Sequence, residues 1–216
     1  MMKTIVLNQY TPSVAALCKK DKRLAKVISL VGTIEYRPHE DGYEFLVHEI
    51  IEQMLSVKAG NKIYQRLIIT CGGEITPEAI NALSDEQIKG VGTANSKVAF
   101  IRALTDEVVS GSLVLSDLDN MSDAEVLKRL TAIYGIGQWT AKMYLIFVLN
   151  RPDILPYEDV AFQQVYKWLY KTGDVSKETI QAKCKKWRPY SSIAARFFYR
   201  ALDIGLTKEE FHLFKD

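Results

Sequence analysis

The feature that most constrains the fold is a glycine turn, Gly135-Ile136-Gly137, between two segments of helical periodicity. The apolar positions are Val126, Leu127, Leu130 and Ile133 before the turn, and Ala141, Tyr144, Leu145 and Val148 after it. Glycine accepts the positive φ angles that other residues resist, so the chain can reverse direction within a few residues. The pattern therefore predicts a helix, a tight turn and a second helix.

Such a turn leaves backbone N–H groups unpaired at the start of the second helix, where they can bind a phosphate oxygen. A Gly-x-Gly turn alone is more often an ordinary connection between helices, so its surroundings decide its meaning. Twenty residues after Trp139, the chain carries Asp159 in the sequence Pro156-Tyr157-Glu158-Asp159. The turn, the spacing and the downstream carboxylate together are far more specific than the turn alone.

These residues resemble the helix-hairpin-helix motif and the Gly/Pro/Asp loop of the HhH-GPD superfamily of base excision DNA glycosylases. The resemblance is closest to the 3-methyladenine DNA glycosylase II branch, which removes alkylated purines. It implies an all-α fold of two helical lobes with the active-site cleft between them. A helical barrel or bundle is expected over residues 40–154, with the helix-hairpin-helix at 125–148. Residues 1–39 and 155–216 would form the second lobe.

The reaction of this family predicts a role for Asp159. Cleavage of the bond between C1′ and a base passes through a transition state that resembles an oxocarbenium ion, and the base must first leave the stack. An alkylated purine is already a good leaving group, so the main need is negative charge beside the sugar. We predict that Asp159 is this carboxylate, because a position at the start of a helix favours the ionised form. The alternative is that Asp159 only caps that helix.

Aromatic residues are predicted to form the base pocket. Relatives that also cut the DNA strand carry lysine at the position of Trp139, and this lysine forms a Schiff base with the sugar. Tryptophan cannot form a Schiff base, so Trp139 predicts a hydrolase without lyase activity. The ring of Trp139 would favour a cationic alkylpurine, although a core position is equally open. Trp187 and Tyr190 resemble the pocket aromatics of the family, with Ser191 where those relatives usually carry arginine. Lys142 is expected at the surface.

The segment from Glu52 to Ala59 resembles the family's loop that wedges into the duplex and fills the space left by an extruded base. The predicted wedge is Met54 or Leu55, because an apolar side chain can insert between bases. The alternative is that both residues belong to the core.

The resemblance also assigns roles to the backbone of the hairpin. The residues predicted to contact DNA phosphate are Gly135, Ile136, Gly137, Gln138 and Thr140. The residues predicted to hold a monovalent cation, Na⁺ or K⁺, through backbone carbonyls are Thr131, Ile133 and Ile136. These oxygens are hard and carry no net charge, which suits such an ion better than zinc. No other cofactor is expected.

Local patterns predict where other elements begin. Ser84 with Gln87 and Ser122 with Glu125 form capping-box patterns, and Thr76 precedes a proline at a predicted helix start. The run 5–7 is either a strand or an extended arm, and a loop is predicted from 32 to 42.

Composition and charge allow a nucleic-acid partner without demanding one. The 216 residues are 48% hydrophobic and 25% charged, which is ordinary for a globular protein, and the net charge is only +2. Nine basic residues but two acidic ones lie between 167 and 200, as either a phosphate-facing patch or a solvated face. They are Lys167, Lys171, Lys177, Lys183, Lys185, Lys186, Arg188, Arg196 and Arg200.

The cysteine spacing and the lack of long apolar runs argue against several classes of protein. Cys18, Cys71 and Cys184 are too far apart to suggest a zinc knuckle or a disulfide framework. The sequence shows no apolar run of membrane length and no secretory signal, so the cytoplasm is the expected compartment. The expected partner is double-stranded DNA containing alkylated bases, bound by a monomer. Two alternatives stay open: a glycosylase for another lesion such as uracil, and a non-catalytic helix-hairpin-helix module that only binds DNA.

Overall fold

The structure, a computed structural model, describes residues 4–213. Residues 1–3 and 214–216, which the predicted second lobe includes, lie outside the described residues. In chain order the elements are β1 (Ile5–Leu7), α1 (Pro12–Lys20), α2 (Lys22–Val31), β2 (Ile34–Tyr36), α3 (Gly42–Glu52), α4 (Val57–Thr70), α5 (Pro77–Ala82), α6 (Asp85–Gly90), α7 (Asn95–Val109), α8 (Asp123–Thr131), α9 (Gln138–Phe147), α10 (Val160–Tyr170), α11 (Lys177–Cys184) and α12 (Ser191–Asp203). The predicted helical fold class is confirmed. No helix within 4–213 has both the length and the apolar character needed to cross a membrane.

The chain divides into two compact units. The hairpin unit is His39–Leu149, and the terminal unit combines Met1–Pro38 with Asn150–Asp216. The sequence-based division placed these bounds at 40 and 154.

The terminal unit is built on a helical core with a small sheet. Helices α10 and α2 both pack against α12, and β1 pairs with β2 in antiparallel register, with Ile5 opposite Tyr36 and Leu7 opposite Ile34. The loop predicted from 32 to 42 was therefore wrong in part, because β2 forms inside it. A strand of three residues has too weak a local pattern to be recognised without its partner.

Asp21 is the polar centre of this core and is only 3% exposed. Its Oδ1 caps α2 by accepting a hydrogen bond from the N–H of Leu24 (3.3 Å). Its Oδ2 accepts hydrogen bonds from the indole Nε1 of Trp187 (3.1 Å) and from the hydroxyl of Tyr170. Lys186 Nζ lies 2.9 Å from the same oxygen. The carboxylate thus joins the start of α2 to α10 and to the chain before α12.

The ionisation of Asp21 is controlled by two opposing effects. Burial disfavours the charged form, but hydrogen bonds from Tyr170, Lys186 and Trp187 and from the N–H of Leu24 outweigh it, so the pKa of Asp21 lies below its ordinary value. A carboxylate with a depressed pKa in the folded state stabilises the fold above its unfolded pKa. That stabilisation is lost as the pH falls through the folded pKa.

The hairpin unit has its own core, in which α3 packs against α4, α7 and α9. Helix α9 is buried from Thr140 to Ile146. The hydroxyl of Tyr144, on α9, would lie 2.5 Å from a Cβ added at Gly42, so a side chain at Gly42 would clash with Tyr144. The first turn of α3 therefore approaches this part of α9 closely.

The predicted helix starts in this unit are confirmed. Both hydrogen bonds of the capping box are present at Ser84 with Gln87 and at Ser122 with Glu125. Thr76 Oγ1 accepts a hydrogen bond from the N–H of Ala79 (3.1 Å). These caps depend on residues three positions apart, which is why the sequence alone reveals them.

The helix-turn-helix around the two glycines is also confirmed, because α8 ends at Thr131 and α9 begins at Gln138. Gly135 has a φ of +91°, and a Cβ at this residue would lie 2.1 Å from Cγ of Phe100. Gly137 has extended backbone, and a Cβ added there would meet open space among the described residues. Gly135 is therefore required by the fold. Gly137 is not, and the absence of a side chain there leaves the backbone at the start of α9 accessible.

We expect Asp21→Asn to lower the free energy of unfolding near pH 7 by on the order of 3 kcal/mol, since buried donors would lose a charged acceptor. Urea denaturation measures this change. The difference from wild type should begin to shrink as the pH falls below about 4, where Asp21 of the unfolded chain becomes protonated, and should vanish only below the depressed pKa of the folded state. Asp174→Asn, at an exposed helix start, is the matched control and should leave the urea midpoint close to wild type. Equal stabilities of Asp21→Asn and wild type at neutral pH would contradict this role.

The two hairpin glycines should respond differently to alanine. Gly135→Ala should lower the free energy of unfolding by at least about 2 kcal/mol, because it combines an unfavourable positive φ with overlap on Phe100. Gly137→Ala should leave the thermal midpoint within a few degrees of wild type. Thermal unfolding followed by circular dichroism compares the two variants, and equal losses would show that Gly135 has no special packing role.

Candidate active site

The start of α9 offers a set of backbone donors. Gly137 is the N-cap and has no side chain with which to cap the helix, and the first intrahelical bond runs from Ala141 N to Gly137 O (3.1 Å). The N–H groups of the first turn therefore have no partner within the helix. Gly137 and Gln138 are exposed. The positive end of the helix dipole adds to these donors, so this surface can bind an anion.

The side chains in this turn are less available than the backbone. Ile136 is 4% exposed and Thr140 is 1% exposed. Thr140 Oγ1 lies 3.4 Å from Nε2 of Gln53, which donates a hydrogen bond to it. Any phosphate contact made by Ile136 or Thr140 is therefore limited to the backbone. Of the other predicted residues, Gly137 and Gln138 are exposed and Gly135 is partly exposed.

The carbonyls predicted to hold a cation lie at the end of α8 and in the turn. Thr131 is the last residue of α8, and Ile133 O accepts a hydrogen bond from the N–H of Ile136 (3.1 Å). A carbonyl oxygen has two lone pairs, so Ile133 O retains one for another partner. The last carbonyls of a helix also lack intrahelical partners. Neutral carbonyl oxygens are the ligand type expected for a monovalent cation, and the cation itself stays a prediction.

An exposed apolar loop joins α3 to α4. Met54 is fully exposed and has a φ of +59°, and Leu55 is 41% exposed. Val57, at the start of α4, is also exposed. The alternative in which both Met54 and Leu55 are core residues is wrong. A non-glycine residue with positive φ and an exposed apolar side chain is unfavourable in isolation, and such positions concentrate at functional sites.

Asp159 is 8% exposed and is the N-cap of α10. Its Oδ1 accepts a hydrogen bond from the N–H of Phe162 (2.7 Å), and its own N–H donates to Pro156 O (3.0 Å). The ring of Phe162 is fully buried, with its centroid 5.1 Å from that of Phe198. Asp159 is thus fixed at the positive end of a helix that is anchored in the core. Capping is confirmed, and it does not exclude a catalytic role for the same carboxylate.

Hydrogen bonds to the start of α12 hold the loop before Asp159. Asp153 Oδ1 accepts from Ser191 Oγ (2.6 Å), and Asp153 Oδ2 accepts from Arg188 Nε (2.8 Å). Ser192 Oγ accepts from the N–H of Ile154 (2.8 Å). Ser191, which stands where relatives usually carry arginine, therefore positions this loop. Sequence reasoning missed this role because the partners are 38 residues apart.

The structure corrects two of the predictions made for aromatic and cationic residues. Trp139 and Tyr190 are both partly exposed, and their assignment to the base pocket stays a prediction. Trp187 has no exposed surface and donates to Asp21, so its assignment to the base pocket was wrong and it is a core residue. Lys142 was expected at the surface but is 8% exposed, because it lies in the buried part of α9.

Contacts within the terminal unit engage most of the basic segment from 167 to 200. Six of its nine cations are involved, three in ion pairs and three over aromatic rings. The ion pairs are Lys171 with Glu210, Lys186 with Asp21 and Arg188 with Asp153, and the ring contacts are Arg196 over Tyr36, Lys177 over Tyr157 and Lys183 over Tyr170. Neutralised or buried cations cannot contribute fully to binding DNA.

Comparison with known proteins places these features in a family. Residues 47–189 match the family of HhH-GPD superfamily base excision DNA repair proteins. The chain is 28% identical over 204 residues to DNA-3-methyladenine glycosylase 1 of Schizosaccharomyces pombe, covering 90% of this chain and 89% of that one.

Two solved structures resemble the whole fold. A DNA-3-methyladenine glycosidase from Bacillus halodurans has a TM-score of 0.84 and 33% identity over 97% of both chains. A Schizosaccharomyces pombe 3-methyladenine DNA glycosylase in complex with abasic DNA has a TM-score of 0.80 and 28% identity, covering 90% of this chain and 98% of that one. The family predicted from the glycine turn and Asp159 is thereby confirmed. The chain belongs to the HhH-GPD superfamily of base excision DNA repair proteins.

Proposed function

We propose that this chain is a DNA glycosylase that removes alkylated purines of the 3-methyladenine type by hydrolysing the N-glycosidic bond. The observation that carries the proposal is Asp159, a carboxylate at the family's motif position that the fold holds at the positive end of α10. The similarity to 3-methyladenine glycosylases over nearly the whole chain supports the same substrate class. The product would be an abasic site in double-stranded DNA.

DNA binding would use the backbone more than net charge. The N–H groups at Gly137 and Gln138 would contact a phosphate at the start of α9. Met54, the more exposed of the two candidate wedge residues, would insert into the duplex and occupy the space of the extruded base. Leu55 would widen the apolar surface beside it. With backbone donors and an inserted apolar side chain, a chain with a net charge of only +2 would still be able to bind DNA.

The chemical step would rest on Asp159. As the bond from C1′ to the alkylated base lengthens, positive charge develops on the sugar, and an ionised carboxylate stabilises it. The same carboxylate would orient the attacking water. Trp139 and Tyr190 would each offer an aromatic face, which attracts a cationic purine. The bound alkylated purine carries a positive charge, so cleavage of its bond to C1′ releases it as a neutral base.

A monovalent cation would be held by the carbonyl oxygens of Thr131, Ile133 and Ile136. Its chemistry would be structural, because it would neutralise the negative end of α8 beside the phosphate-binding turn. The protein would act as a monomer, and the cytoplasm stays the expected compartment.

Replacing the carboxylate tests the proposal directly. Asp159→Asn keeps a good N-cap residue and removes the charge, so folding should be retained while base release falls by about 10²-fold or more. Single-turnover release from DNA methylated at purines, with the free bases separated by chromatography, measures the effect. Glu158→Gln, the neighbouring acid, is the matched control and should retain near wild-type activity.

The same assay separates the alternatives. Release of uracil but of no alkylated purine from the wild type would identify a glycosylase for another lesion. Binding to DNA without release of any base would identify a non-catalytic module. Full activity of Asp159→Asn would remove Asp159 from the chemistry.

Tryptophan at position 139 predicts hydrolysis without strand cleavage, because an indole nitrogen cannot form a Schiff base with the sugar. Incubation with damaged DNA and sodium borohydride should give no covalent protein–DNA product, and the strand should stay intact until the abasic site is cleaved with alkali. Borohydride trapping of the wild type would contradict this prediction. Loss of trapping in Lys142→Met would then identify the buried lysine as the nucleophile.

A further inference from the structure

The loop that carries Met54 is held by side chains from outside the loop. Lys97 Nζ lies 2.6 Å from the carbonyl oxygen of Ile51 and 2.6 Å from that of Gln53. These oxygens belong to the end of α3 and to its C-cap. An ammonium group at this position neutralises the negative end of the helix dipole and satisfies carbonyls that lack helical partners.

Gln53 continues the connection toward the hairpin. Its Nε2 donates to the carbonyl oxygen of Gly135 (3.0 Å) and lies 3.4 Å from Thr140 Oγ1. The backbone of Gln53 is thus bound by Lys97 while its side chain is bound to the glycine turn. We call these two residues the Lys97–Gln53 clamp.

The backbone at Met54 requires such support. Its φ of +59° is a left-handed conformation that is unfavourable for a residue with a Cβ, because the Cβ then lies too close to the following carbonyl oxygen. Its side chain is fully exposed, so burial of that side chain cannot offset the cost. Hydrogen bonds on the preceding residues hold the loop where the side chain by itself cannot. A local hydrogen bond from the N–H of Leu55 to Glu52 O (3.0 Å) closes the turn.

We propose that Lys97 and Gln53 are positioning residues that hold Met54 at a fixed place relative to the phosphate-binding turn. This proposal rests on the proposed function, because it assumes that Met54 enters DNA. Through the clamp, the turn that binds the DNA phosphate and the loop that inserts Met54 would be rigidly connected within the hairpin unit. Its loss should impair extrusion of the base but not the affinity for undamaged DNA.

The test combines Lys97→Met, which keeps the aliphatic stem and removes the charge, with Met54→Ala. Each single variant should slow single-turnover release from duplex DNA by on the order of tenfold, since a displaced group loses its effect within about 1 Å. The double variant should be no slower than Met54→Ala, because without the methionine there is nothing left to position. Lys97→Arg, which also donates two hydrogen bonds, should recover part of the rate.

Controls separate positioning from general damage. Lys62→Met removes an exposed lysine from α4 and should behave as wild type. Undamaged-duplex affinity and the thermal midpoint of Lys97→Met should show that the hairpin still binds and folds. A double variant that loses the product of the two single effects would overturn the proposal, as would a wild-type rate for Lys97→Met.

A readout without chemistry separates this proposal from the function on which it rests. The fluorescence of 2-aminopurine placed beside the lesion rises when the base is unstacked, and wild type but not Lys97→Met should produce the rise. If wild type unstacks the probe but releases no alkylated base, the proposed function fails while the clamp stands. If wild type is active and Lys97→Met unstacks the probe equally well, the clamp alone fails.

Discussion

The backbone of Gly135 lies so close to the ring of Phe100 that no side chain fits between them, and this contact fixes the glycine turn against α7. Helix α7 also carries Lys97, and the carbonyl of Gly135 binds the side chain of Gln53. The donors of α9 and the loop of Met54 are therefore positioned against the same packed surface. A binding surface made of backbone groups needs this rigidity, because it has no flexible side chains that could adjust to a phosphate.

The terminal unit positions a carboxylate by similar means. Asp159 caps a helix whose first turn is anchored by the buried ring of Phe162, and the loop before it is hydrogen-bonded to Ser191 and Ser192. Deeper in the core, Asp21 joins two helices through buried donors. In both places a polar group lies at a helix start beside buried aromatic rings. At Asp21 the fixed donors favour the charged form, although burial opposes it.

The charge distribution shows how little net charge explains about binding. Several cations in the basic segment 167–200 are engaged inside the terminal unit, and Arg196 lies 3.7 Å from the ring centroid of Tyr36. In the proposed function, helix-terminal amides and an exposed apolar loop make the main contacts with DNA. Both depend on shape and orientation, so a chain of nearly balanced charge can carry them.

Local patterns allowed the sequence by itself to determine the helical class, the glycine turn and the capping boxes, because each arises from residues within a few positions. The family followed from the turn together with Asp159 at a fixed spacing downstream, which is a pattern along the chain and needs no knowledge of the packing. The tertiary structure decided the rest. Trp187 and Lys142 are buried, and β2 forms only because β1 lies beside it. Ser191 with Asp153 and Lys97 with Gln53 meet across 38 and 44 residues. Such contacts are made only when distant segments pack together, and no local periodicity encodes which side chains will then meet.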